Sequence, residues 1–363
     1  MEPFVYNATA VRVVFGTGTR ATLADEIVRL GRSRAMILAT PQQEADARGL
    51  GETIGPLFAG LFPGAVMHTP VEVTEAAVAA AKALGADCVV ALGGGSTIGL
   101  GKAIALRTDL PQIVLPTTYA GSEATSILGQ TADGAKTTLR SPKVLPEVIL
   151  YDVDLTLTLP PRLTAVSGLN AIAHAVEALY APDRNPVIAM MAEQGIRSLA
   201  SALPRLAAEP RDAPARADAL YGAWLCGTCL NAVGMGLHHK LCHTLGGAFG
   251  LPHAETHTII LPHAARYNAP AAPDAMKRVA RALGADDDAP QALFDLAQRL
   301  GAPTDLRSLG LRETDLDKAA ALAVAMPYPN PRPLTEPAIR ALLGDAFHGV
   351  RPSKATDAEH CHA

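Results

Sequence analysis

The chain has 363 residues, 49% hydrophobic and 18% charged, an ordinary globular balance on a length that favours two cores over one. A net charge of -4 and a pI near 6.3 argue against nucleic acid or an anionic membrane as the main partner. Five cysteines, an odd number, fit a reducing cytoplasm better than a disulfide framework, and no basic-then-apolar leader is read at the N-terminus.

In chain order, RVVFG (12–16), AMILAT (35–40), CVVALGG (88–94), IVLPTT (113–118) and VILYDV (148–153) read as strands. The first three show little strict alternation, as in parallel strands buried on both faces. ATLADEIVRLG (21–31) and TEAAVAAAKALG (74–85) have helical spacing, with Gly31 and Gly85 where C-terminal caps belong. This βαβ pattern predicts an open α/β sheet over residues 1–155. From LPPRLTAVSGLNAIAHAVEALY (159–180) onward the chain is Ala/Leu-rich with helical periodicity, so an all-helical domain is expected over 156–363. The polar end RPSKATDAEHCHA (351–363) reads as a frayed tail, although His360, Cys361 and His362 are potential metal donors.

ALGGGSTIGLGKAIA (91–105) follows an apolar strand and opens a helix. Its glycines let the backbone approach a pyrophosphate, and a helix N-terminus offers free N–H groups with partial positive charge. The run is neither GxGxxG nor a P-loop, and by itself a plain tight turn explains it too. The next strand ends in PTTYAGSEAT (116–125), hydroxyls and glycine at the strand edge where open sheets bind ligands. Together the two loops predict a dinucleotide site. The second strand ends in Thr40, Pro41 and Gln42, without the carboxylate that selects the ribose 2′-hydroxyl, so both NADH and NADPH are expected to bind.

GLHHKLCHTLGGAFGLPHAETH (236–257) holds five of the 11 histidines. Asn170 with His174, and His239 with His243, are spaced to share helix faces, and His253 follows Pro252. His238, His257, His263 and His68 read as ordinary core or surface histidines. CGTC (226–229) lies in an apolar helical run and reads as a buried pair rather than a redox or zinc centre. RSLASALPRLAAEPRD (197–212) reads as a solvated helix face.

The GGGS loop, PTTYAGSEAT, GLNAIAHAVEALYAP, HKLCHTLGGAFGLPH and the late NPRPLT (330–335) resemble the iron-containing (group III) alcohol dehydrogenase family, most closely its maleylacetate reductase branch. The resemblance implies a Rossmann-like N-terminal domain, an all-helical C-terminal domain, an active site between them and a cytoplasmic homodimer. It also implies NADH- or NADPH-dependent reduction of the C=C bond of maleylacetate, a small dianion, to 3-oxoadipate in aromatic-compound catabolism. Family dinucleotide contacts fall on Gly93, Gly94, Gly95, Ser96, Thr117, Thr118, Ser122 and Lys136, beside Thr40 from the second strand.

In metal-dependent members one Asp and three His bind Fe²⁺ or Zn²⁺; the matching histidines are His174, His239 and His253, and the Asp position is Asn170. A neutral amide is a weaker ligand than a carboxylate, so no tightly bound metal is expected. The family histidine beside the nicotinamide matches His243. Conjugate reduction forms a delocalised enolate that hydrogen-bond donors can support, and His243 or His253 is expected to donate to it or protonate the adjacent carbon. Lys240, Arg140 and Tyr119 are candidate partners for the substrate carboxylates. A metal-dependent alcohol dehydrogenase of the same family is the alternative; a non-catalytic nucleotide-binding module leaves the histidines without a purpose.

Overall fold

The computed structural model describes residues 3–132, 135–286 and 288–353, with residues 132, 135 and 136 by backbone alone. The described chain divides into two compact units, Asn7–Pro160 with Arg211–Leu220, and Met1–Tyr6 with Pro161–Pro210 and Tyr221–Ala363. Among the described residues no single helix is long and apolar enough to cross a membrane.

The first unit is built on strands β1 (Arg12–Gly16), β2 (Ala35–Leu38), β3 (Phe58–Phe62), β4 (Cys88–Gly93), β5 (Gln112–Pro116) and β8 (Val148–Asp152). They form one parallel sheet in the order β1-β8-β5-β4-β2-β3. Helices α1 (Leu23–Arg29), α2 (Glu44–Thr53), α3 (Val71–Leu84) and α4 (Gly95–Thr108) connect and cover it. On β4 the side chains of Val90 and Leu92 join Ile37, Ile113 and Leu115 in one core, while Val89 and Ala91 join Met36, Leu38 and Val114 in another. Both faces are therefore apolar, which is why these strands read as continuous hydrophobic runs.

Three features depart from the sequence reading. The second strand stops at Leu38, and Pro41, which has no N–H to give a ladder, starts a short 3₁₀ turn. The edge strand β3, FAGLF, is half-buried throughout; its short apolar run is broken by Gly60 and shows no alternation. β6 (Ile127–Ala132) and β7 (Ala135–Arg140) form a separate antiparallel pair. The Asp133-Gly134 dipeptide is a hairpin signal that points to this pair.

The second unit is helical: α5 (Pro161–Ala178), α6 (Pro186–Ala208), α7 (Ala213–Ala232), α8 (Leu237–Phe249), α9 (His253–Asn268), α10 (Pro273–Leu283), α11 (Ala289–Arg299), α12 (Leu316–Val324) and α13 (Glu336–His348), the opening residues of α7 grouping with the first unit. α5 is buried almost all round from Thr164 to Ala178, as expected of a central helix. Leu241 and Leu245 of α8 pack with Ile259 and Ile260 of α9 and with α12 and α13 in a shared core. The pair Asn268–Asn330 exchanges two amide hydrogen bonds (3.0 and 2.8 Å), and Asn330 Oδ1 also accepts from Leu237 N at 3.4 Å. The NPRPLT segment thus fixes the start of α8.

Candidate active site

In the first unit, β4 runs into α4 through Gly93, Gly94 and Gly95. Gly93 has φ +152°, and a Cβ there would meet Thr97 Oγ1 at 2.5 Å and Gln43 Oε1 at 2.9 Å. A Cβ on Gly94 would meet Thr118 Cγ2 at 2.8 Å, whereas Gly95 faces open space. No side chain caps the N-terminus of α4 and no acid lies in its first turn, so its N–H groups and dipole favour an anion. Gln43 Nε2 donates to Thr117 Oγ1 at 3.3 Å and Thr40 lies 3.4 Å from Gln43 Oε1, which joins the ends of β2 and β5. The carboxylate that follows Thr40, Glu44, is paired with Arg48 at 2.9 Å.

The PTTYAGSEAT loop is anchored by a residue the sequence did not single out. Lys102, fully buried on α4, donates to Ser122 O (2.6 Å), Thr125 O (2.7 Å), Thr125 Oγ1 (2.9 Å) and Ile127 O (2.9 Å). Tyr119 is also fully buried, and its hydroxyl accepts from Arg216 at 3.0 Å. Arg140 is exposed on β7, and the side chain of Lys136 lies outside the described residues, as does the His360–His362 segment.

In the second unit, Asn170, His174 and Glu177 stand at i, i+4 and i+7 on α5 and share one face. All three are buried, and Asn170 Oδ1 has no partner among the described residues. Glu177 accepts from the backbone N–H of His238 at 2.9 Å, and Gly236 N is 3.2 Å away. It thereby satisfies the opening N–H groups of α8 and balances the helix dipole. Its Oε2 accepts from Nδ1 of His239 at 2.5 Å, and His239 Nε2 lies 2.8 Å from His174 Nδ1. Burial alone would raise the Glu177 carboxyl, but the hydrogen bond from His239, with that from the His238 backbone N–H, outweighs it and holds it down at about 2. The anionic carboxylate keeps a proton on His239 Nδ1; with the His239 ring neutral, Nε2 accepts and His174 Nδ1 donates.

His243, one turn beyond His239, and His253, the first residue of α9, are solvent-exposed. The His239 and His243 ring centroids are 6.3 Å apart, and those of His253 and His257 4.3 Å. The cluster is larger than the spacing predicted. His238 and His257 are not ordinary core residues: their rings meet at 2.9 Å (Nε2 to Nδ1), and His257 also lies 5.1 Å from His239 and 6.0 Å from His174, centroid to centroid. Burial pushes His238 down to about 3 and His257 well below its ordinary value, so both are neutral. Only the fold, by packing α8 on α9, reveals them. Lys240 has its ammonium 5.9 Å from the Tyr328 ring, His263 packs edge-on to Phe294, and His68 lies in a loop at φ 66°. Cys226 and Cys229 are buried on α7 with thiols pushed up, Cys229 to about 12, as inert packing residues.

As a candidate metal set, Asn170, His174, His239 and His253 supply one amide and three imidazoles and no anion, while Glu177 stands one step back behind His239. A divalent ion held there would lack a charge-compensating ligand, which is a poor fit to tight binding.

A parallel nucleotide-type sheet in one unit and a histidine cluster on α5, α8 and α9 in the other define the class of protein. The chain belongs to the iron-containing alcohol dehydrogenase family: the iron-containing alcohol dehydrogenase description matches residues 10–153, and that of the Fe-containing alcohol dehydrogenase family, C-terminal, matches 164–347. Within the family it is 60% identical over 352 residues to maleylacetate reductase of Rhizobium sp. (strain MTP-10005), a match covering 97% of this chain and 100% of that one. It is 57% identical over 353 residues to maleylacetate reductase of Burkholderia cepacia, covering 97% and 100%. The crystal structure of maleylacetate reductase from Agrobacterium tumefaciens superposes with a TM-score of 0.94 at 59% identity, again over 97% and 100%.

Proposed function

We propose that this oxidoreductase reduces the C=C bond of maleylacetate to give 3-oxoadipate, using NADH or NADPH and no metal tightly held by Asn170, His174, His239 and His253. The observation that carries the metal-free reading is the amide of Asn170, buried beside His174 where metal-dependent relatives place a carboxylate. Bound reduced nicotinamide supplies a hydride. The glycine backbone of 93–95 and the uncapped start of α4 bind the pyrophosphate, with Ser96, Thr117, Thr118 and Ser122 as further contacts.

Hydride addition to the alkene carbon β to the ketone drives the π electrons onto the ketone oxygen, and a proton completes the other carbon. His243 or His253, both exposed to solvent, donates to the developing enolate or protonates that carbon. Glu177 and His239 hold His174 in one tautomer, which fixes the polar surface offered to the substrate. Replacing a carboxylate by Asn170 also removes an anion that would repel a dianionic substrate. A homodimer in the cytoplasm is the state expected of the family. Oxidation of NADH with maleylacetate, and with a simple aldehyde, in the presence and absence of chelator tests the proposal; aldehyde reduction that requires metal would favour the alcohol dehydrogenase reading.

A further inference from the structure

We propose that His238, Cys242 and His257 form a binding site for a thiophilic divalent cation, zinc or cadmium, separate from the set Asn170, His174, His239 and His253. His238 and Cys242 are one turn apart on α8, and His257 reaches them from α9. Their donor atoms lie within 4.8 Å of one another, and all three side chains are buried. A tetrahedral zinc site with ordinary bond lengths separates its donors by about 3.3 Å (N to N) and about 3.6 Å (N to S). Cys242 Sγ is already 3.7 Å from His238 Nε2, and the 2.9 Å between the two imidazole nitrogens has to open by only a few tenths. Two nitrogens and one thiolate suit a thiophilic ion, whereas the set of Asn170 and three imidazoles offers no sulfur.

The protons balance. In the His238–His257 hydrogen bond one nitrogen carries the proton, and binding needs both lone pairs free. That proton moves to the far nitrogen of its own ring, His238 Nδ1 or His257 Nε2. Both are buried without a hydrogen-bond partner among the described residues, so neither position is committed to another group. The Cys242 thiol loses its proton to solvent as the metal–sulfur bond forms. His253, an exposed residue, has its ring centroid 4.3 Å from that of His257 and so stands between the buried group and the surface. The proposal is independent of the reaction catalysed.

The test is a titration of Cd²⁺ into chelator-treated full-length enzyme carrying Cys361→Ser, which removes the competing thiol of the HCH tail. The expected result is one saturating equivalent with an ultraviolet sulfur-to-cadmium band. That band disappears in Cys242→Ser, and affinity falls at least tenfold in His257→Gln, which leaves the thiol in place and carries the test if Cys242→Ser does not fold. Cadmium held by imidazoles alone gives no sulfur band, so the two sets are distinguished. Absence of the band in folded enzyme, or its survival in folded Cys242→Ser, overturns the proposal.

Discussion

Glu177 Oε2 and His239 Nδ1 form a buried 2.5 Å hydrogen bond that orients the histidine cluster and caps the helix carrying it. The Glu177 carboxyl is held at about 2 against an ordinary value of 4.5, so its stabilisation is complete above about pH 4.5 and is lost as pH falls towards 2. By linkage that shift corresponds to about 3 kcal/mol. Glu177→Gln is expected to lower stability at pH 7 by about 2–3 kcal/mol, with the gap to wild type closing below pH 4.5. Urea unfolding of both proteins from pH 7 to pH 3 measures this; a gap that stays constant with pH contradicts the assignment.

His263 gives an acid sensitivity of its own, away from the cluster. Burial pushes it down to about 4 and its Nε2 has no partner among the described residues, so the unfolded chain binds one more proton than the native one between about pH 6.5 and 4. Stability is therefore full above pH 6.5 and falls with acidification by about 1.4 kcal/mol per pH unit. His263→Leu should flatten this part of the stability–pH curve, read by unfolding midpoints at half-unit intervals. An unchanged slope would mean that His263 titrates normally.

Cofactor use should be broad. With Glu44 engaged by Arg48 and no carboxylate at Thr40–Gln43, nothing identified rejects a 2′-phosphate. The kcat/KM values for NADH and NADPH are expected within roughly tenfold, about 1.4 kcal/mol. Steady-state kinetics with both cofactors decides, and a preference of several hundredfold for NADH would require a repelling group.

His243→Ala should reduce kcat by about 10²–10⁴-fold while the KM for NADH changes little, as for loss of a proton donor. Near-native turnover would remove His243 from the mechanism and leave His253 to carry the proton transfer.

Chelator should leave maleylacetate reduction intact, and purified protein should contain well under one iron per chain. Asn170→Asp restores an anionic ligand to His174, His239 and His253. It should gain affinity for Fe²⁺ or Zn²⁺ and lose maleylacetate activity. Loss of wild-type activity on chelation, with recovery on adding metal, would overturn the metal-free reading.

The central strands were legible because burial on both faces turns them into uninterrupted apolar runs, as in β4 and β5. β3 was not, because a half-buried edge strand with a glycine inside it has no periodic pattern to read. At the site, the spacing of Asn170 and His174 and of His239 and His243 put each pair on one helix face. Glu177 was overlooked in the same helix because its partners, the N–H groups that open α8, lie about sixty residues away in sequence. His238 and His257 needed the packing of α8 on α9, which no local spacing reveals.

Lys102 joins three backbone carbonyls, at residues 122, 125 and 127, through one ammonium on α4. The loop after β5, the start of β6 and the helix that opens at the glycine turn are thereby tied into one opening unit. A local excursion of residues 122–127 would strand the buried Lys102 side chain, so their amides should exchange with solvent only when α4 itself unravels, and the glycine turn and the loop after β5 should share a single protection factor.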